Sequence, residues 1–188
     1  MLWNIPNSLT VLRIFLIPVF VGIFYLPASV IEPHWINFSA TLVFALAAIT
    51  DWLDGYLARK LNQTSAFGAF LDPVADKLMV AAALIVLVEL GRTGAITALI
   101  IIGREIAISA LREWMAGSGD KVSVAVAMIG KIKTALQMVA ILFLLYFDYI
   151  ASINIYLIGK ILILIAAFLT LLSMAYYLKA AWPRINLK

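Results

Sequence analysis

Long apolar stretches alternate with short polar breaks along the whole chain. Apolar windows run over about Ser8–Leu26, Ile36–Leu53, Phe70–Leu90, Ala95–Trp114, Val124–Phe147 and Ile153–Leu178. Each is long enough to cross ~30 Å of hydrocarbon as a helix. The breaks carry turn residues: Pro27 to Pro33, Asn62–Ser65, Gly91–Gly94, Gly117–Asp120 and Asp148–Asn154. This pattern predicts an all-α integral membrane protein with six transmembrane helices, forming one domain over residues 1–188. Pro18 lies inside the first window and is expected to kink it. That window lacks the small-residue cleavage pattern of a signal peptide and is read as retained. No internal repeat or low-complexity segment is visible.

Composition sharpens the picture by exclusion. Hydrophobic residues make up 65% of the 188 and charged residues 13%, where a soluble domain has roughly 45–50% and 25%. A soluble enzyme, a disordered chain and a nucleic-acid-binding domain are excluded, so no nucleic-acid partner is expected. The chain has no cysteine and one histidine, His34, which rules out thiolate metal sites, disulfides and histidine clusters. The net charge of +4 suits a protein lying in an anionic bilayer.

The distribution of charge predicts orientation. Arg59 and Lys60, then Arg112, Lys121, Lys131 and Lys133, then Lys179, Arg184 and Lys188 fall at alternate ends of the windows. The opposite connections hold Glu32 and His34, a lone Arg92, and Asp148. The positive-inside rule then places both termini in the cytoplasm.

Four of the ten acidic residues lie between Asp51 and Asp76. A carboxylate near hydrocarbon costs roughly 2.5–3.5 kcal/mol even on lenient insertion scales. Asp51 and Asp54 share a helix face at the end of the second window, and Asp72 and Asp76 share one at the start of the third. A cytoplasmic turn joins the two helices, so the pairs can converge. Four carboxylates at one depth repel unless cations lie between them, and all-oxygen ligation suits Mg²⁺ or Mn²⁺. Gly55, Ala58, Gly68 and Ala69 would let a ligand approach the backbone, and Arg59 offers a planar donor for a phosphate oxygen. Together these residues describe a diphosphate site. A plainer reading makes Asp72, before Pro73, a helix N-cap followed by a first-turn proline. It makes the small residues helix-packing contacts.

The run Asp51-Trp-Leu-Asp54-Gly55-Tyr-Leu-Ala58-Arg59, followed after eight residues by Gly68 and then by Asp72 and Asp76, resembles the signature of the CDP-alcohol phosphatidyltransferase family. Every fixed position of the motif is filled. The resemblance implies a six-helix fold and displacement of CMP from a CDP-linked lipid, CDP-diacylglycerol, by an alcohol hydroxyl. It implies that Asp51, Asp54, Asp72 and Asp76 ligate two divalent ions, with Asp76 also the general base. Gly55, Ala58, Arg59, Ser65 and Gly68 fall at positions that hold the CDP moiety. The segment Asn7-Ser-Leu-Thr10-Val-Leu-Arg13 resembles a family segment beside the nucleotide, although Asn7 or Thr10 also reads as a helix cap. The family is commonly homodimeric.

The acceptor is read from a second set of residues. Gly103-Arg104-Glu105-Ile106 lies in the fourth window, and Arg112 follows two helical turns later, about 12 Å along the axis. Lys133, Thr134 and Gln137 open the fifth and can share a face that suits an anion. Plainer readings are an internal Arg104–Glu105 ion pair and lysines that merely anchor a helix end. Two basic clusters facing a metal site favour a phosphorylated acceptor. Both runs resemble the branch of the family whose acceptor is sn-glycerol 3-phosphate, which implies an enzyme of a bacterial cytoplasmic membrane with its active site facing the cytoplasm. Inositol phosphate would also employ Arg112 and Lys133, whereas serine, with no phosphate, would leave them without an obvious duty; the phosphatidylglycerol used by some cardiolipin synthases is a further rival acceptor. A divalent-cation transporter is the rival from another class. It would place its acids near the midplane on repeated halves, and neither feature is seen.

Overall fold

In the computed structural model, residues 5–27, 29–61, 65–116 and 124–185 are described. They form α1 (Ile5–Ile23), α2 (Pro33–Lys60), α3 (Ala66–Glu89), α4 (Ala95–Ala116), α5 (Val124–Tyr146) and α6 (Ile155–Ile185). Between α5 and α6 lies a minimal hairpin, β1 (Tyr149–Ile150) and β2 (Ile153–Asn154), paired antiparallel with Tyr149 opposite Asn154. Each apolar window therefore overlaps one helix, and the hairpin occupies the break expected as a turn. α2 and α6 outrun their windows at the C-terminal end, carrying Lys60 and Trp182 on extra turns.

Local chemistry sets the ends. Pro33 starts α2, where its missing amide proton costs nothing. Ser65 caps α3, its hydroxyl oxygen accepting from the Gly68 amide at 3.0 Å. This overturns the reading of Asp72 as the N-cap. Asp72 and Pro73 lie inside α3, nearly two turns beyond the true cap. α3 ends on Gly91 at φ +67°, with Gly91 N bonding Val88 O at 3.0 Å and Arg92 N bonding Leu87 O at 2.8 Å. This paired arrangement satisfies the last carbonyls and needs a residue that tolerates a left-handed backbone. α1 continues as helix through Pro18.

Small residues let the helices approach. Ala40, Ala47, Ala83, Ala98, Ala140 and Ala167 are buried along the helix contacts. α5 and α6 pack most extensively. A Cβ added at Gly159 would lie 2.9 Å from Phe143 Cβ and 3.1 Å from Leu144 N. Large apolar side chains such as Phe15, Ile85, Ile96, Leu99 and Phe168 point outward. A soluble monomer rarely exposes a continuous apolar belt, and a bilayer would cover one. α1, α2 and α6 are long and apolar enough to cross a membrane. α3 and α4 have comparable length, but Asp72, Asp76 and Lys77 in one, and Arg104, Glu105 and Arg112 in the other, interrupt them.

Polar groups gather at two levels of the bundle. At one end Arg92, buried in the α3–α4 connection, donates to Leu144 O at 3.2 Å, Leu145 O at 2.8 Å and Asn37 Oδ1 at 2.7 Å. Its guanidinium lies 4.1 Å from the Phe147 ring centre. Burial lowers its pKa to about 10, so it stays charged at neutral pH. It closes the C-terminal end of α5, where carbonyls lack intrahelical partners. Nearby, His34 Nδ1 and Asp148 Oδ2 are 2.7 Å apart; the Tyr149 amide, then His34, holds the Asp148 carboxyl below its usual range. The other level, where α1, α3 and α5 begin, holds the candidate site.

Candidate active site

The first part of the site is built from α1, α2 and α3. Arg13 is fully buried, and its two terminal nitrogens donate to Asp51 Oδ1 at 2.6 Å and Asp54 Oδ2 at 2.5 Å. Thr10, on the same face one turn earlier, has three oxygens around its single hydroxyl proton. They are Pro6 O at 3.2 Å, Asp54 Oδ2 at 3.4 Å and a short contact to Asp72 Oδ1. Asp51, Asp54 and Asp72 thus converge on two side chains of α1. Asp76 lies one turn beyond Asp72 and makes no hydrogen bond among the described residues. The charges of Asp51, Arg13 and Glu105 all act on it.

These contacts change the reading of the N-terminal segment. Thr10 and Arg13 face the carboxylates directly, and the helix-cap role for Thr10 does not apply because it sits more than a turn inside α1. Asn7 Oδ1 accepts from the Ser65 hydroxyl at 3.0 Å, tying α1 to the cap of α3. Gly68 is required there: a Cβ would lie 2.5 Å from Asn7 Oδ1 and 3.2 Å from Ser65 Oγ. Gly55, Ala58 and Arg59 lie on α2 and Arg112 on α4, but their side-chain surroundings fall outside the described residues.

The donor set fits a hard divalent cation in chemistry. All its ligand atoms are oxygens, and Thr10 Oγ1 meets more acceptors than it has protons to give. One guanidinium, paired with Asp51 and Asp54, and one hydroxyl, beside Asp72, meet three carboxylates, leaving an excess of negative charge. As arranged, Arg13 and Thr10 hold the acids; among the described residues no three acids are gathered closely enough to enclose an ion.

The second part of the site is built from α4, α5 and α6. Lys133 is fully buried and donates to Glu105 Oε1. Arg104 Nη1 lies 3.4 Å from the same oxygen, and Arg104 Nη2 donates to Ser173 Oγ on α6 at 2.9 Å. The Arg104 guanidinium lies 5.9 Å from the Tyr177 ring centre. Gln137 is buried beside Lys133 on α5, whereas Thr134 is exposed, so the three do not share one buried face. The anticipated Arg104–Glu105 pair exists, but Lys133 is the closer partner of the carboxylate. The charge of Asp76 also reaches Lys133, more weakly than that of Glu105.

Sequence reasoning missed Ser173 and Tyr177. Their signal was a buried hydroxyl inside a strongly apolar helix, since a polar group there needs a partner. It also missed that Lys133 is an interior cation.

A family model described as CDP-alcohol phosphatidyltransferase matches residues 3–173. The chain is similar to the CDP-diacylglycerol–glycerol-3-phosphate 3-phosphatidyltransferases of Shigella flexneri serotype 5b (strain 8401) and Escherichia coli (strain K12). Each is 51% identical over 183 residues, which is 96% of this chain and 96% of the relative.

Proposed function

Because this chain belongs to the CDP-alcohol phosphatidyltransferase family, we propose that it transfers the phosphatidyl group of CDP-diacylglycerol to sn-glycerol 3-phosphate. The products are phosphatidylglycerophosphate and CMP. The observation that carries this reading is the juxtaposition of two charged clusters. Carboxylates gather around Arg13 and Thr10, and the charge of Asp76 reaches Lys133 of the Arg104–Glu105–Lys133 cluster. The names of the relatives support the choice of donor and acceptor.

Asp51, Asp54, Asp72 and Asp76 would hold the divalent ions, Mg²⁺ or Mn²⁺, two in number on the family pattern. Bound there, such ions would neutralise the diphosphate and stabilise charge on attacking and leaving oxygens. The chain's own residues do the rest. Asp76 takes the proton of the acceptor hydroxyl as its oxygen attacks the lipid-side phosphorus. A new P–O bond forms, the bond to the CMP oxygen breaks, and CMP leaves with the electron pair. Arg59 and the backbone beside Gly55 and Gly68 hold the nucleotide diphosphate. Arg104, Arg112 and Lys133 hold the phosphate of the acceptor, with Gln137 beside them. All six helices cross the membrane, both termini are cytoplasmic, and the site opens to the cytoplasm where the soluble acceptor is available.

The test is CMP release from detergent-solubilised protein supplied with both substrates. EDTA should silence it and Mg²⁺ or Mn²⁺ restore it. Asp51→Asn, Asp54→Asn, Asp72→Asn and Asp76→Asn should each lose at least ~10²-fold in turnover, as expected for a metal ligand or general base. Near-normal turnover in any two of the four overturns the assignment.

A further inference from the structure

We propose that Glu105 is a displaceable counter-ion of the acceptor's anion subsite, yielding Lys133 and Arg104 to a dianionic phosphomonoester but not to a neutral or weakly charged acceptor. This deepens the function proposed above and rests on it.

Position is the first argument. Lys133 is fully buried, whereas the Glu105 side chain is 26% exposed. Glu105 is therefore the accessible member of the pair and Lys133 the enclosed one. An incoming anion must replace Glu105, or share Lys133 with it against like-charge repulsion. Spare donor capacity is the second argument. Arg104 is buried, and its Nε has no hydrogen-bond partner although Nη2 is fixed by Ser173. A buried guanidinium N–H left unpaired is costly, so a further acceptor reaching it would be favoured. Its other terminal nitrogen, Nη1, is only 3.4 Å from Glu105, a weak hold.

Charge decides who wins the exchange. A phosphomonoester carries about −1.5 to −2 near pH 7 and has three acceptor oxygens, whereas Glu105 has one charge and two oxygens. The ester can satisfy Lys133 and the idle Arg104 N–H together, and the released carboxylate regains water. A free polyol offers no charge and leaves the Lys133–Glu105 pair in place. Glu105 is thus a specificity determinant; it touches the acceptor's binding groups and not the reacting phosphorus.

The test compares wild type with Glu105→Gln, an isosteric change that removes the charge. The KM for glycerol 3-phosphate should fall about tenfold, the scale of one charge-assisted hydrogen bond no longer competed for. Inorganic phosphate should inhibit the variant at correspondingly lower concentration, in competition with glycerol 3-phosphate, while the KM for CDP-diacylglycerol stays put. A raised KM for glycerol 3-phosphate in folded Glu105→Gln would show that Glu105 merely holds Lys133 in place. Unchanged KM and phosphate inhibition would make it a bystander. Either result overturns the proposal. If Glu105→Gln does not fold, Glu105→Asp carries the test, with the same direction at smaller size. Calorimetric binding of inorganic phosphate to wild type and variant reads the exchange without turnover. Tighter phosphate binding by the variant, together with no glycerol 3-phosphate-dependent product from wild type, would refute the acceptor and leave the exchange standing.

Discussion

Lys133 shows what a single buried charge demands. An ammonium taken fully out of water is tolerated only beside a counter-charge, and Glu105 supplies it from the neighbouring helix. Arg13 makes the same bargain with Asp51 and Asp54. If Lys133 binds the acceptor phosphate, Lys133→Met should raise the KM for glycerol 3-phosphate by ten- to a hundredfold, roughly 1.5–3 kcal/mol. The KM for CDP-diacylglycerol should hardly move, because on this proposal the α1–α3 cluster would hold that substrate. Steady-state kinetics varying each substrate separately check this, and an effect confined to CDP-diacylglycerol would contradict it. The aspartates were legible in the sequence because four acids at regular spacing beside hydrocarbon have no inexpensive explanation. Lys133 was legible only as a helix-end cation. Its burial depends on where α4 places Glu105, a tertiary fact that spacing along one helix does not contain.

At the scale of elements, the hydrophobic windows located each of the six helices among the described residues, because mostly apolar runs of this length bury and expose their side chains best as helices. The ends were less legible. Asp72-Pro73 has the residues of a helix start, yet α3 begins at Ser65, whose hydroxyl meets the Gly68 amide. Two adequate start signals lay close together, and the contact between Ser65 and Asn7 of α1 favours the earlier one. The hairpin was hidden for a related reason. Ala151 and Ser152 take φ of 46° and 72° without a glycine to announce it. Close approach of elements carries a prediction of its own. Gly159→Leu would drive a side chain into Phe143 and the backbone of α5. It should destabilise the protein by about 1–3 kcal/mol, the usual cost of overpacking. Gly22→Leu, whose added Cβ meets nothing within 4 Å, is the control. Thermal unfolding in detergent should separate them, and equal midpoints would contradict the packing.

For the molecule as a whole, burial is sorted by depth. Apolar side chains both face outward and fill the middle, where leucines, isoleucines and alanines pack with Phe20 and Phe44; among the described residues, ionised groups are buried at both ends, Arg92 alone at one, and Arg13, Asp54, Arg104 and Lys133 at the end where α1, α3 and α5 begin. This is the end that the lysine and arginine distribution assigns to the cytoplasm. Cysteine introduced at Ser65 should therefore react with an impermeant thiol reagent only from the cytoplasmic face, and at Ser29 only from the opposite face; the reverse pattern would overturn the orientation. The acceptor remained the faintest feature in the sequence, since the arginines and lysine that would hold glycerol 3-phosphate would serve inositol phosphate as well. The most direct measurement is accordingly an acceptor panel. Purified protein, Mg²⁺ or Mn²⁺ and radiolabelled CDP-diacylglycerol are incubated with sn-glycerol 3-phosphate, glycerol, inositol phosphate, serine or phosphatidylglycerol. Phosphatidylglycerophosphate and CMP formed in equal amounts, with sn-glycerol 3-phosphate alone, is the predicted result. Comparable product from free glycerol, or a preference for any other acceptor, would contradict it.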